Sequence, residues 1–228
     1  MLGSDGHSST IDCGSKGIFQ KNHLSILLSG YQRQVAQVYV AFLDMRRFEI
    51  CILAGGLSSR MGRDKSRLSL GGRTLLAHVR ATAKLIGLPY RVIRRDLVPH
   101  CGPLGGLYTA LVTSSADATL FLSCDMPFVS VRLLKMVLRR AKHNENALFV
   151  EANGRVGFPL LLFRGAALPV VESQLIKAAF SLKRMARVLR PQTIRLVGRR
   201  AGELFNVNTA DDLKKARARW RDRPRRNA

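Results

Sequence analysis

The chain has 228 residues, 46% of them hydrophobic, and a formal net charge of +23 from 38 Lys and Arg against 15 Asp and Glu. That length and apolar content suit one α/β domain with a sizeable core, and the charge favours phosphorylated or polyanionic partners. No apolar run approaches the ~20 residues of a membrane span, and aromatics, at 7%, are too few for the stacking platforms of a single-strand nucleic-acid binder.

Residues 1–47 differ from the rest. Their start, MLGSDGHSSTIDCGSKG, is rich in Gly and Ser, reads as poorly ordered, and has no basic region leading into a long apolar stretch. Met45 stands directly before the first strand pattern and is the expected initiator, with residues 1–44 as an extension. Cys13, Cys51, Cys101 and Cys124 show neither CxxC nor a disulfide framework, which suits a reducing cytosol and hence a cytoplasmic protein.

From Phe48 the elements alternate. Phe48–Leu53 is a short apolar run ended by glycines, the pattern of a buried parallel strand. Gly71-Gly72 is a turn, and residues 74–86 form an amphipathic helix through Leu75, Leu76, Val79, Ala83 and Ile86. Tyr90–Ile93 is a short strand. Residues 102–112 begin as a Pro-Gly loop and become a helix. Residues 118–123, ATLFLS, are a second buried strand, followed by an amphipathic helix over 131–142. Strands are expected over 147–150 and 158–163 with an NGR turn between them, then a helix over 175–189 closed by Pro191, and a strand over 193–197. The last helix starts after Asn208-Thr209, whose side chains suit an N-cap. From Lys214 the sequence KKARARWRDRPRRNA is expected to be a basic tail, a solvated helix end that frays. The alternation predicts a Rossmann-like, doubly wound, mostly parallel sheet with helices on both faces and ligand at the carboxyl ends of the strands. The domain is expected over 48–213, between the extension and the tail at 214–228.

Four segments could carry chemistry. In ILAGGLSSRMGRDKSRL, Gly55 and Gly56 follow a strand directly and let backbone N–H groups approach a phosphate, while Arg60 and Lys65 add positive charge. The spacing is neither a Walker loop nor GxGxxG. In SCDMPF, Asp125 sits at the end of a buried strand, where it could ligate Mg²⁺ shared with substrate phosphates or serve as a helix N-cap. HCGPLGGL reads either as a glycine segment wrapping a bound group or as a tight strand-to-helix turn. In FNVNTADDL, Asn206 and Asn208 point to one side of an extended segment while Val207 packs inward, and paired amides suit a polar heterocycle.

Taken in order, LAGGLSSRMGRDK, GPLGGL, CDMPF and FNVNT resemble the signatures of the MobA-like nucleotidyltransferases, specifically the molybdenum cofactor guanylyltransferases, over about residues 48–219. LAGG, rather than the LAAG of cytidylyl relatives, favours the guanylyl members. The resemblance implies transfer of GMP from GTP to the phosphate of molybdenum-molybdopterin, giving the guanine dinucleotide cofactor and pyrophosphate, with Mg²⁺ as cofactor. It also implies that Leu53, Ala54 and Gly55 contact the nucleotide, that Lys65 binds GTP phosphate, and that Asp125 binds Mg²⁺ beside GTP. Asp96 matches the family's acidic nucleotide-binding position, and Asn206 and Asn208 lie towards the pterin. Asp125, Lys65 and Arg60 are the catalytic candidates. Molybdoenzyme apoproteins or their chaperones are the implied protein partners.

The chain departs from the family after the first helix. Ile86 runs through GLPYRVIRRD straight into GPLGG, so one strand-helix step, with an Asn that holds the nucleotide, has no counterpart. Either an interior strand is missing or Tyr90–Ile93 has taken its place. A transferase using CTP or another NTP and a non-catalytic cofactor binder are the alternative readings.

Overall fold

The computed structural model describes residues 47–55, 65–141 and 146–223, all in the second of the chain's two units, Arg46–Ala228. Gly56, Arg60 and the expected start at Met45 lie outside the described residues.

The strands are β1 (Phe48–Leu53), β2 (Ser69–Leu70), β3 (Arg73–Thr74), β4 (Tyr90–Ile93), β5 (Ala118–Ser123), β6 (Ala147–Ala152), β7 (Arg155–Phe163) and β8 (Gln192–Leu196). The helices are α1 (Leu75–Lys84), α2 (Pro103–Val112), α3 (Val131–Ala141), α4 (Arg164–Ile176), α5 (Leu182–Leu189) and α6 (Ala210–Arg221). Six strands form one sheet in the order β4-β1-β5-β7-β6-β8. All run parallel except β7, which is antiparallel to both neighbours. The expected mostly parallel, doubly wound architecture is the observed one.

Strand alternation sorts the core onto two faces. Ile50, Ile52, Leu120 and Leu122 pack with α1 and α3, whereas Cys51, Leu53 and Phe121 pack with α2, α4 and α5. Burial pushes the Cys51 thiol up to about 12, so it behaves as a small hydrophobe. Asn153 and Gly154, both at positive φ, make the tight β6–β7 turn, and Gly71-Gly72 do the same between β2 and β3.

Tyr90–Ile93 pairs in parallel with β1, from Ile50 opposite Tyr90 to Leu53 opposite Ile93, and forms the sheet edge. The place beside β1 is therefore filled by β4. A charged network holds it there. Arg91 donates through Nε and Nη2 to the two carboxylate oxygens of Glu49 on β1, at 3.1 and 3.0 Å, and through Nη1 to Thr113 at 2.6 Å. It also donates to the Ala110 carbonyl on α2, and Thr119 on β5 donates to Glu49 at 3.0 Å. One guanidinium thus ties β4 to β1 and α2, and through Glu49 to β5.

Two expectations are corrected. The helix expected over 175–189 is two helices, α4 and α5. Ala178 between them adopts a left-handed φ of 50°, and Ser181 caps α5 by accepting from the Arg184 N–H. Pro169 lies inside α4, where its missing N–H and ring disguise a helical segment as a break. The fraying end from Lys214 is also corrected, as far as Arg223. Ala216 is fully buried, and Trp220 packs on His78 with ring centroids 4.4 Å apart. Arg223 stacks 4.6 Å above Phe128 and 4.5 Å above Trp220. The boundary expected at 214 falls inside α6. No helix among the described residues is long and apolar enough to cross a membrane.

Candidate functional site

The three strands that carry most of the motifs end together. The Ala54 N–H donates to the Ile93 carbonyl at 2.8 Å, and the Cys124 N–H donates to the Leu53 carbonyl at 3.0 Å. The carboxyl edge therefore lines up Arg94–Asp96 after β4, Leu53–Gly55 at the end of β1, and Asp125 after β5. Lys65 begins a 3-10 turn that leads into the β2–β3 hairpin.

Glycines let these elements touch. A Cβ on Gly55 would stand 2.9 Å from the Arg94 carbonyl oxygen, closer than real Cβ contacts allow. A Cβ on Gly105 would stand 2.6 Å from the Val98 carbonyl and 2.9 Å from Asp96 Oδ2, and one on Gly106 would stand 3.1 Å from Leu53 Cδ2. Both residues are buried within the first turn of α2. The GPLGG glycines therefore seat a helix against β1 and the Asp96 loop, the packing that a tight strand-to-helix turn requires. Thr109 fastens that loop, accepting from the Leu97 N–H and donating to the Gly105 carbonyl, each at 2.8 Å. Burial raises the Asp96 carboxyl above its ordinary value.

Asp125 is partly exposed at the edge, and its Oδ1 accepts a 2.6 Å hydrogen bond from Ser123 Oγ. Ser123 and Thr109 were absent from the sequence candidates. Ser123 acts on a neighbour two residues away, which only the S-x-D spacing hinted at, and Thr109 reaches back to Leu97, a contact for which a lone hydroxyl gives no motif.

The Asp125 carbonyl accepts from the Val207 N–H at 2.9 Å, and Val207 is fully buried as the alternation predicted. Asn206 and Asn208, on either side of it, line a cleft of about 910 Å³ together with Asn153, Arg155, Phe158 and Asp212. Burial works to raise the Asp212 carboxyl, but hydrogen bonds from Thr209 and from the N–H groups of Asn208 and Thr209, with Lys215 nearby, hold it below its ordinary value. Thr209 and Asp212 form a capping box for α6. Asn208 thus lies at both the cleft and the helix start.

Apolar contacts lock this half of the site. Leu70, Leu75, Phe128, Val207, Leu213 and Ala216 form one buried cluster that joins the hairpin, the Asp125 loop and α6. Among the described residues, no three His, Cys, Asp or Glu side chains converge. The donor chemistry at Asp125 is one carboxylate in a polar, partly exposed position. That suits Mg²⁺, which takes one or two carboxylates and completes its shell with phosphate oxygens and water.

An α/β sheet with a glycine turn, two carboxylates and a cleft along one carboxyl edge defines a nucleotide-handling protein of the doubly wound class. The comparisons agree. The MobA-like NTP transferase domain model matches residues 50–196. A probable molybdenum cofactor guanylyltransferase of Flavobacterium johnsoniae is 31% identical over 178 residues, 71% of this chain and 92% of that protein. One from Bacillus licheniformis is 26% identical over 180 residues, with the same shares covered. Among solved structures, molybdopterin-guanine dinucleotide biosynthesis protein A of Archaeoglobus fulgidus superposes with a TM-score of 0.60 at 19% identity, over 77% of this chain and 100% of that one. The 4-diphosphocytidyl-2C-methyl-D-erythritolsynthase of Anaerococcus prevotii superposes at 0.62 with 12% identity, over 79% and 99%. The chain belongs to the MobA-like NTP transferase family and is a nucleotidyltransferase.

Proposed function

We propose that this chain transfers GMP from GTP to the terminal phosphate of molybdenum-molybdopterin. An acceptor phosphate oxygen bonds to the α-phosphorus, the bond from that phosphorus to the bridging oxygen of the β-phosphate breaks, and pyrophosphate leaves. The carrying observation is the position of Asp125. It stands between the Gly55 turn on β1 and, through its bond to Val207, the cleft lined by Asn206 and Asn208. A carboxylate in that position could serve both partners of a phosphoryl transfer. The choice of GTP and molybdopterin follows the names of the Flavobacterium and Bacillus relatives.

Leu53, Ala54, Gly55 and Gly56 form the floor under the triphosphate, with Lys65 and Arg60 as its cations. Asp96 contacts the nucleotide, and Asn206 and Asn208 orient the pterin. Asp125 would hold Mg²⁺, which when bound neutralises phosphate charge and orients the reacting oxygens. Ser123 aims the Asp125 carboxylate. The acceptor phosphate is ionised at neutral pH, so the reaction needs positioning and charge neutralisation rather than a side-chain base or nucleophile. The product would pass to molybdoenzyme apoproteins or their chaperones in the cytoplasm.

The likeness to the Anaerococcus protein leaves the base undecided on fold alone, so CTP is the second reading. Calorimetric titration with Mg²⁺ separates them: GTP is expected to bind, and heat with CTP but none with GTP would reverse the assignment.

A further inference from the structure

β4 brings to the carboxyl edge two cations that the reaction as described leaves unused. We propose that Arg94 and Arg95 bind the nucleotide, each guanidinium facing an acceptor-only edge of it, either a phosphate or the O6/N7 edge of guanine. This inference rests on the guanylyl-transfer reading above.

Placement comes first. Ile93 is opposite Leu53 in the β1–β4 ladder, and the Arg94 carbonyl lies against Gly55. The two arginines therefore leave the sheet alongside the turn assigned to the triphosphate. The acceptor cleft lies on the far side of Asp125, lined by the β6–β7 turn and the segment before α6. The β4 side is left for the nucleotide.

The state of the side chains comes second. Both arginines are exposed. Among the described residues neither makes a hydrogen bond or an ion pair, although Asp96 is adjacent in sequence. The Asp96 oxygens lie instead against Gly105 and Gly106. Arg91, three residues earlier, shows the contrast: its three guanidinium nitrogens all donate within the fold. Two exposed guanidiniums without a partner among the described residues keep their donors available to an anion.

The chemistry comes third. A guanidinium presents parallel donors in a fixed fork and no acceptor. The fork matches two phosphate oxygens or the O6/N7 pair of guanine, and it meets a donor instead of an acceptor at the adenine amino group. The arginine pair occupies the carboxyl end of the strand beside β1.

The test uses the full chain, a double Arg94→Ala/Arg95→Ala variant and a double Lys variant, each titrated with GTP and ATP in the presence of Mg²⁺. GTP affinity is expected to fall at least tenfold in the Ala variant with an unchanged thermal melt. An equal fall for ATP, rescued by Lys, marks phosphate contact; a fall confined to GTP and not rescued by Lys marks the guanine edge. Wild-type GTP affinity and KM in an active Ala variant overturn the inference and leave the guanylyl-transfer reading intact. Should the Ala variant misfold, wild-type GTP and ATP affinities in the Lys variant, lowered by less than twofold when NaCl is raised from 50 to 300 mM, overturn it as well. A wild-type chain that binds no GTP and transfers no guanylyl group overturns both.

Discussion

The backbone N–H of Val207 donates to the carbonyl of Asp125 at 2.9 Å, so the proposed metal-binding carboxylate and the amides of the acceptor cleft are fastened to one another. The bond uses the Asp125 main chain, whereas its side-chain Oδ1 accepts from Ser123. Changing the side chain should then alter chemistry without loosening the cleft. Asp125→Ala is expected to lower the rate of guanylyl transfer by about 10²–10³ while the melting temperature changes little. A variant that retains most of its turnover would remove Asp125 from the mechanism.

Ser123→Ala removes the hydroxyl that aims Asp125 Oδ1. Outer-shell partners of a metal-binding carboxylate are typically worth about 10–100-fold in affinity or activity. The variant should show that loss as a higher Mg²⁺ requirement, read from rate against Mg²⁺ concentration, with GTP binding in the absence of metal unaltered.

Asp96 gives a pH signature. Burial raises its folded-state pKa, so the protonated form is favoured by folding. Its contribution is most favourable below the unfolded pKa and is lost as pH rises through the folded one. Asp96→Asn should therefore unfold at higher denaturant than the wild type at pH 7, with the difference shrinking towards acid pH, and should bind GTP less tightly. A gap that widens towards acid would reverse the sign of this argument.

Arg91 holds the edge strand. Arg91→Ala leaves Glu49 half-buried without its cation and is expected to cost about 3 kcal/mol, read from urea unfolding. Replacing both partners, as Glu49→Gln with Arg91→Met, should recover much of that loss. A single Arg91→Ala within 0.5 kcal/mol of wild type would show that β4 is held by packing alone.

The C-terminal helix belongs to the site's support. A Cβ on Gly71 would stand 2.0 Å from the Trp220 indole nitrogen, at a φ of 57° that disfavours side chains. Gly71→Ala and Trp220→Ala should each destabilise the domain, the latter by about 3 kcal/mol. Thermal melts of a chain truncated before Trp220 should show a similar loss.

The legible parts of this fold were those set by local pattern. The apolar runs at Phe48–Leu53 and 118–123 became β1 and β5, and the alternation of Asn206, Val207 and Asn208 correctly placed Val207 inward. Those positions depend on strand periodicity, which a single chain displays directly. What was not legible depends on partners distant in sequence. GPLGG looks the same whether its glycines meet a phosphate or, as here, the Asp96 loop and Leu53. Thr109 holds the Leu97 N–H across a loop, a contact that carries no spacing rule. Pro169 masked α4, and the turn at Ala178 divides a stretch whose hydrophobic spacing reads as one helix. Trp220 turned an apparently solvated tail into an anchor, because a single aromatic among basic residues gives no periodic signal.

The most direct measurement is incubation of the purified chain with GTP, Mg²⁺ and molybdenum-molybdopterin, followed by chromatographic and mass analysis of the pterin product. The guanine dinucleotide form and an equal amount of pyrophosphate are expected, and neither should form with Asp125→Ala. Unmodified molybdopterin with GTP, or a cytosine dinucleotide formed only when CTP is supplied, would contradict the assignment.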